Sequence, residues 1–353
     1  MITGSRGWTG MEKARPARDV DVRYGHGLVH NESAEWPNFI VVATRTTWRT
    51  AHPYLAKQPA GVGIVTHLDW DHLEETTRSL PDDAELVVGV GGGTGLDASK
   101  YVALKKELPL VLVPTIVSTG AIIHGVFAKW KGRNAVPPTS GWPYCDFEHA
   151  LVDYDLALES PRYLNTAGLG DVLCGFAGIA EWRYAAGRGL SPADYEETVS
   201  PNLEYFNWLA SEFPNTFDES GALTASSVKF IMTAIHERDD RMLRTEHAPS
   251  ADHVFPITLE NTANRGFVHG ELCALGAVIV AWKVGQTDEL LSWLREARVR
   301  FTPGEMGLTR EELAATIAAL PADLESRDVN SVLTREPISG SEFDRLWEYL
   351  GTL

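Results

Sequence analysis

Three consecutive glycines, Gly91-Gly92-Gly93, follow the apolar run Ala84-Glu85-Leu86-Val87-Val88. They open a segment with helical spacing that carries Thr94, Leu96, Asp97 and Lys100. Glycines in series let backbone N–H groups approach a ligand closely, and the helix behind them aims its positive end at the same spot. That is the chemistry of a pyrophosphate cradle. The next apolar run ends in Val113-Pro114-Thr115, followed by Ser118-Thr119-Gly120. Ligands of open parallel sheets sit beyond the carboxyl ends of strands, and both loops lie at such ends. The glycines follow a later strand rather than the first and do not have G-x-G-x-x-G spacing. The ordinary dinucleotide fingerprint is therefore excluded.

The elements that must hold these loops read as a strand–helix alternation over residues 20–163. Residues 39–43, 61–65, 86–90 and 109–113 are short β-branched runs. Helix-compatible stretches at 52–58, 71–79 and 94–106 separate them, with Asp69 or Asp71 available as a cap for the second. This pitch predicts βαβ units and a parallel sheet. Residues 164–353 change character: Ala- and Trp-rich stretches at 167–186, 195–212, 222–237 and 270–283 have helical spacing. Loops punctuate them at Ser191-Pro192, Ala248-Pro249-Ser250 and Thr302-Pro303-Gly304. The expected fold is an α/β, doubly wound N-terminal nucleotide-binding domain plus an all-helical C-terminal domain. Residues 1–19, polar and rich in Gly and Arg, read as a loose tail.

Composition removes several classes of function. A net charge of −17 and a pI near 5.1 argue against nucleic acid and against an anionic membrane surface. The longest apolar run, 272–282, is well short of the roughly 20 residues that a membrane span needs. No apolar stretch follows Arg6, Lys13, Arg15 and Arg18, so a signal peptide is not expected. Cys145, Cys174 and Cys273 are few, odd in number and far apart, which predicts a reduced, cytoplasmic protein.

Taken together, Gly91-Gly92-Gly93-Thr94-Gly95-Leu96-Asp97-Ala98-Ser99-Lys100 and Val113-Pro114-Thr115-Ile116-Val117-Ser118-Thr119 resemble one superfamily. It contains dehydroquinate synthase, glycerol dehydrogenase and the iron-containing alcohol dehydrogenases. The branch most resembled is that of sn-glycerol-1-phosphate dehydrogenase, with an A-G-x-G-D helix ending in an acidic residue and Trp. Here those are Ala167-Gly168-Leu169-Gly170-Asp171 and Glu181-Trp182. The resemblance spans about residues 20–290. It implies NAD or NADP and one divalent metal, bound in the cleft between a nucleotide domain and a helical domain. Gly91, Gly92, Gly93, Asp97, Thr115, Ser118 and Thr119 would then line the cofactor. Arg45 falls where relatives meet the adenine-side ribose. It reads either as a contact to a ribose 2′-phosphate, favouring NADP, or as a solvated surface arginine.

The resemblance also implies the metal ligands Asp171, His247 and His269. Two imidazoles and a carboxylate make a three-ligand divalent site with room for a substrate oxygen. Zinc is the first expectation, and iron and nickel can use the same set. His253 is the alternative to His247; it could instead relay a proton. The expected substrate is a small molecule, a phosphorylated polyol or ketone, with dihydroxyacetone phosphate first. Lys129, Lys131, Arg244, Asn264 and Arg265 are candidate phosphate contacts, Arg265 foremost. Polyol-oxidising relatives often carry Asp where this chain has Gly120, and His124 is a weaker substitute. A homo-oligomer is expected from relatives. Two other readings stand beside the dehydrogenase: a sugar-phosphate cyclase of the dehydroquinate synthase type, and a non-catalytic nucleotide-binding relative.

Overall fold

The computed structural model describes residues 20–127, 130–132, 134–135, 143–190, 196–241 and 250–353. The N-terminal tail, the loops at Ser191-Pro192 and Ala248-Pro249, and His247, Lys129 and Arg244 lie outside the described residues. The chain divides into two compact units, Met1–Asn165 and Thr166–Leu353.

The first unit is built on a six-stranded sheet in which every pairing is parallel. Its strands are β1 (Val22–Gly25), β2 (Phe39–Thr44), β3 (Gly61–Val65), β4 (Leu86–Gly91), β5 (Leu110–Pro114) and β8 (His149–Asp153). Their order is β1-β8-β5-β4-β2-β3. The short pair β6 (Trp130–Lys131) and β7 (Asn134–Ala135) forms a separate antiparallel ribbon. Helices α1 (Leu28–Glu35), α2 (Arg45–Ala51), α3 (Trp70–Ser79), α4 (Gly93–Lys106) and α5 (Tyr154–Leu158) complete the unit.

The strands are buried on both sides, and alternate residues show why helices must cover both faces. Phe39, Val41 and Ala43 share a core with Leu86, Val88 and Val90, with Val29 of α1, Ala51 of α2 and Leu156 of α5. On the opposite face, Gly89 lies directly under Ser99 of α4. Helices thus pack on both faces, and the sheet is doubly wound. The chain runs from β2 outward to β3 and then returns to β4 on the other side of β2. The β2–β4 gap is therefore the topological switch point, where such sheets bind ligands.

Some local boundaries differ from the sequence pattern. A helix is expected at 52–58, but α2 begins at the end of β2. Thr44 accepts from the Thr47 amide while the Thr47 hydroxyl reaches back to the Thr44 amide, a reciprocal cap. Three β-branched threonines hide that helix from a propensity reading, and Pro53 opens only a single 3-10 turn. Asp69, not Asp71, caps α3.

In the second unit the described residues form helices and loops, with no strand among them. The stretch 167–186 is two helices, α6 (Arg162–Leu173) and α7 (Phe176–Ala186), because the ladder shortens at Cys174-Gly175. They are followed by α8 (Glu196–Glu212), α9 (Ala225–Arg241), α10 (Ala251–Ala263) and α11 (His269–Val284). The chain then continues through α12 (Asp288–Glu296), α13 (Pro303–Met306), α14 (Arg310–Ser326), α15 (Val332–Arg335) and α16 (Ser341–Gly351). No helix among the described residues is long and apolar enough to cross a membrane.

Candidate cofactor loop and metal centre

The glycine loop sits at the switch point. Gly91 ends β4 with φ of 149°, a conformation that a side chain rarely adopts. Gly92 is the N-cap of α4 and offers no side-chain cap, so the first amides of a fourteen-residue helix stay available to an anion. The Thr115 amide donates to the Gly91 carbonyl, which ties the second loop to the first. Thr115 and Ser118 are buried beside it, and the Thr119 hydroxyl caps the 3-10 turn Gly120–Ile122. From the β2 side, the Thr47 hydroxyl donates to the Val90 carbonyl. Arg45 is exposed at the first position of α2.

Lys100 ties this arrangement together. Its ammonium is fully buried and donates to Asp97 Oδ1 and to the Ala121 carbonyl, each at 2.8 Å. One oxygen of Asp97 is thus committed to an ion pair that fixes α4 against the turn containing Gly120. His124 follows that turn, its amide donating to the Gly120 carbonyl. Lys131 lies in β6.

The second locus forms where α6, α10 and α11 cross. A Cβ on Gly270 would stand 1.9 Å from the Ala167 carbonyl oxygen, and one on Gly170 would stand 2.5 Å from that of Gly270. Backbone therefore meets backbone, and Asp171 is carried up to His269. Gly276 makes α11 similarly close to α10 at Asp252. Glu271, buried in the first turn of α11, is gripped by Arg300 through Nε at 2.6 Å and Nη2 at 2.9 Å.

Asp171 is 1% exposed. His253 Nε2 lies 3.4 Å from its Oδ1 and His269 Nε2 lies 3.6 Å from the same atom. That oxygen has no hydrogen-bond partner among the described residues. On the other side, Arg238 Nη1 stands 2.7 Å from Oδ2 and donates to the Asp171 carbonyl at 3.1 Å. Burial opposes the charge on Asp171, but Arg238, His253 and His269 outweigh it and hold the carboxyl well below the usual range. For His253 burial pulls the pKa down, and Asp252, Cys174 and Asp171 more than reverse it. His269 moves down because desolvation of the ring outweighs the attraction of Asp171.

This geometry fits a divalent ion. A tetrahedral ion with bonds of about 2.0–2.2 Å separates its N and O ligand atoms by about 3.4 Å. The Nε2-to-Oδ1 distances match that edge. With Arg238 holding Oδ2, Oδ1 makes no hydrogen bond and is the oxygen open to such an ion. His253 Nδ1 is held 2.6 Å from Asp252 Oδ2, the carboxylate–histidine support that orients a ligating imidazole.

Of the expected ligands, Asp171 and His269 are brought together, and His253 is the second imidazole beside them. His247 lies outside the described residues. Arg265 forks onto Glu312 at 2.8 and 2.9 Å and donates to the Gly307 carbonyl, joining the end of α10 to α14. Three residues absent from the sequence expectation lie beside Asp171, namely Arg238, Cys174 and Cys273, and a fourth, Asp252, holds His253. Asp171, Cys174, His253 and Cys273 place one donor atom each within 4.8 Å of one another. The cysteines had a usable signal, standing three and four residues after Asp171 and His269, the helical spacing of neighbours. Arg238 had none, because His236-Glu237-Arg238-Asp239-Asp240-Arg241 reads as a solvated helix end.

Glu181 adds a buried titrating group. It accepts from the Ser331 hydroxyl and from the Val332 amide at 3.0 Å, with Ser250 buried in the same interior. Desolvation raises its pKa to about 7, against the bonds from Ser331 and Val332 that lower it. A raised pKa means that the folded chain binds a proton which the unfolded chain has released. The stability it contributes is full below about 4.5 and is lost as pH rises through about 7. The loss is on the order of 3 kcal/mol. Glu181→Gln is expected to flatten this dependence. Urea unfolding at ~pH 5 and ~pH 8 checks it; equal slopes for both proteins would refute the assignment.

The fold and these two loci resemble one class, that of the iron-containing alcohol dehydrogenases. A family model described as iron-containing alcohol dehydrogenase matches residues 21–124. The chain is similar to proteins named glycerol-1-phosphate dehydrogenase (NAD(P)+). It is 26% identical to that of Saccharolobus islandicus over 319 residues, covering 83% of this chain and 86% of that protein. It is 27% identical to that of Aeropyrum pernix over 272 residues, 73% of each. The fold matches a probable glycerol dehydrogenase from Sinorhizobium meliloti with a TM-score of 0.62 at 16% identity, over 96% of this chain and 99% of that one.

Proposed function

We propose that the protein is a metal-dependent NAD(P) oxidoreductase acting on a small phosphorylated polyol or ketone, with dihydroxyacetone phosphate as the first substrate. The observation that carries this reading is the buried Asp171 Oδ1, partnerless and faced by the Nε2 atoms of His253 and His269. The similarity to glycerol-1-phosphate dehydrogenases supports the substrate class. When bound, a divalent ion lowers the pKa of a substrate hydroxyl and a nicotinamide takes up its hydride.

The chain's own residues supply the rest. Asp171, His253 and His269 would hold the ion, which we take to be zinc. Arg238 keeps Asp171 ionised and fixes its second oxygen. Asp252 orients His253. The amides of Gly92 and Gly93 at the head of α4 would bind the cofactor phosphates, with Thr115 and Ser118 beside them. Lys100 holds Asp97 and the turn after Thr119 in register with that loop. Arg45, exposed at the start of α2, would meet a ribose 2′-phosphate and favour NADP.

A substrate panel tests the reading. Dihydroxyacetone phosphate is expected to consume reduced nicotinamide, read by its absorbance, faster than dihydroxyacetone or simple aldehydes. Arg45→Ala is expected to raise KM for NADPH about tenfold, the size of one charge-assisted hydrogen bond, and to leave NADH little changed. Release of inorganic phosphate from a sugar phosphate, with no net change at the nicotinamide band, would replace the dehydrogenase by a cyclase.

A further inference from the structure

We propose that Cys273 is a fourth protein ligand of the ion, on its buried side, and that this sulfur makes the site prefer a thiophilic ion such as zinc over magnesium or manganese. The proposal rests on the ion site of the preceding section and goes beyond its three ligands. Cys273 lies four residues after His269 on α11, so the two side chains share a face. Its Sγ stands 3.4 Å from His269 Nε2, the nitrogen that also faces Asp171 Oδ1. An ion bonded to thiolate at about 2.3 Å and to imidazole at about 2.05 Å separates sulfur from nitrogen by about 3.5 Å. The distance already present is that edge.

Cys174 is placed differently. Its Sγ donates to the Asp171 carbonyl at 3.1 Å and lies 4.0 Å from His253 Nδ1, the nitrogen already held by Asp252. It belongs to the same donor cluster, but its sulfur is engaged by the Asp171 carbonyl. Both cysteines are fully buried, whereas the His253 and His269 side chains are 38% and 45% exposed. Sulfur therefore closes the inner side of the cluster, and a substrate oxygen would enter from the outer side as a fifth ligand. Thiolate is a soft ligand suited to zinc, while oxygen-only sites suit magnesium and manganese. On binding, the thiol proton leaves to solvent and its electron pair forms the bond to the ion.

Cobalt(II) added to the metal-free full-length chain tests this without reference to activity. A sulfur-to-cobalt charge-transfer band in the near ultraviolet is expected, retained in Cys174→Ser and lost in Cys273→Ser. The ratio of zinc to manganese affinity is expected to fall at least about tenfold in Cys273→Ser. A cobalt complex of the unaltered protein with ligand-field bands but no charge-transfer band would overturn the sulfur ligand and leave the Asp171–His253–His269 site standing. That measurement needs no variant to fold. A band lost in Cys174→Ser instead would overturn the assignment to Cys273. Absence of cobalt binding would overturn the ion site and this proposal together.

Discussion

Replacing His253 by alanine is expected to remove the bound ion and to lower kcat/KM at least about 100-fold, while His247→Ala keeps its ion. Changes to the residues that merely support a metal ligand cost about 10- to 100-fold in affinity or activity, so loss of a ligand costs no less. His253 is set up for this role twice over: its Nδ1 is fixed by Asp252 at 2.6 Å and its Nε2 is aimed at Asp171 Oδ1. Asp171→Asn should do the same for a different reason. The amide keeps the shape but removes the buried negative charge, and it leaves Arg238 facing a neutral group at the former 2.7 Å contact. Elemental analysis of the purified variants beside steady-state turnover decides the matter. A stoichiometric ion in His253→Ala, with loss in His247→Ala, would transfer the ligand role to His247.

The contrast between those two histidines marks what could be seen in the sequence. The parallel sheet and its glycine loop were legible because a buried strand is a nearly continuous apolar run and because the loop follows such a run directly. Gly91, Thr115 and Ser118 fall where strand ends predict. The helix α2 was not legible, since its stability comes from the Thr44–Thr47 cap rather than from propensity. Asp171 and His269 were legible as motif residues, and the second imidazole was legible only as a choice between His247 and His253. Choosing between His247 and His253 needs the crossing of α10 on α11 at Gly276, which no local pattern encodes. The pairing of Arg265 was hidden for the same reason: its partner Glu312 is far along the chain. Arg238 is the converse case, a helix-end arginine whose partner is fixed only by packing.

Gly270→Ala is expected to destabilise the helical unit by about 3 kcal/mol or more and to weaken ion binding in whatever fraction still folds. The new methyl carbon would lie 1.9 Å from the Ala167 carbonyl oxygen and 3.2 Å from the Asp171 amide nitrogen. Neither is the tip of a flexible side chain, so a rotamer change cannot relieve the clash. The helices α6 and α11 must separate, and the residues on either side of the contact are Asp171 and His269. Stability and ion affinity therefore depend on one backbone contact, and they should fall together. Gly304→Ala is the control, because nothing lies within 4 Å of a Cβ there and its φ is not in the left-handed region. That change should stay within about 0.5 kcal/mol of the parent. Urea unfolding combined with zinc titration distinguishes the two. If Gly270→Ala unfolds at the same midpoint as Gly304→Ala and binds zinc as tightly, the crossing does not set the geometry of the site.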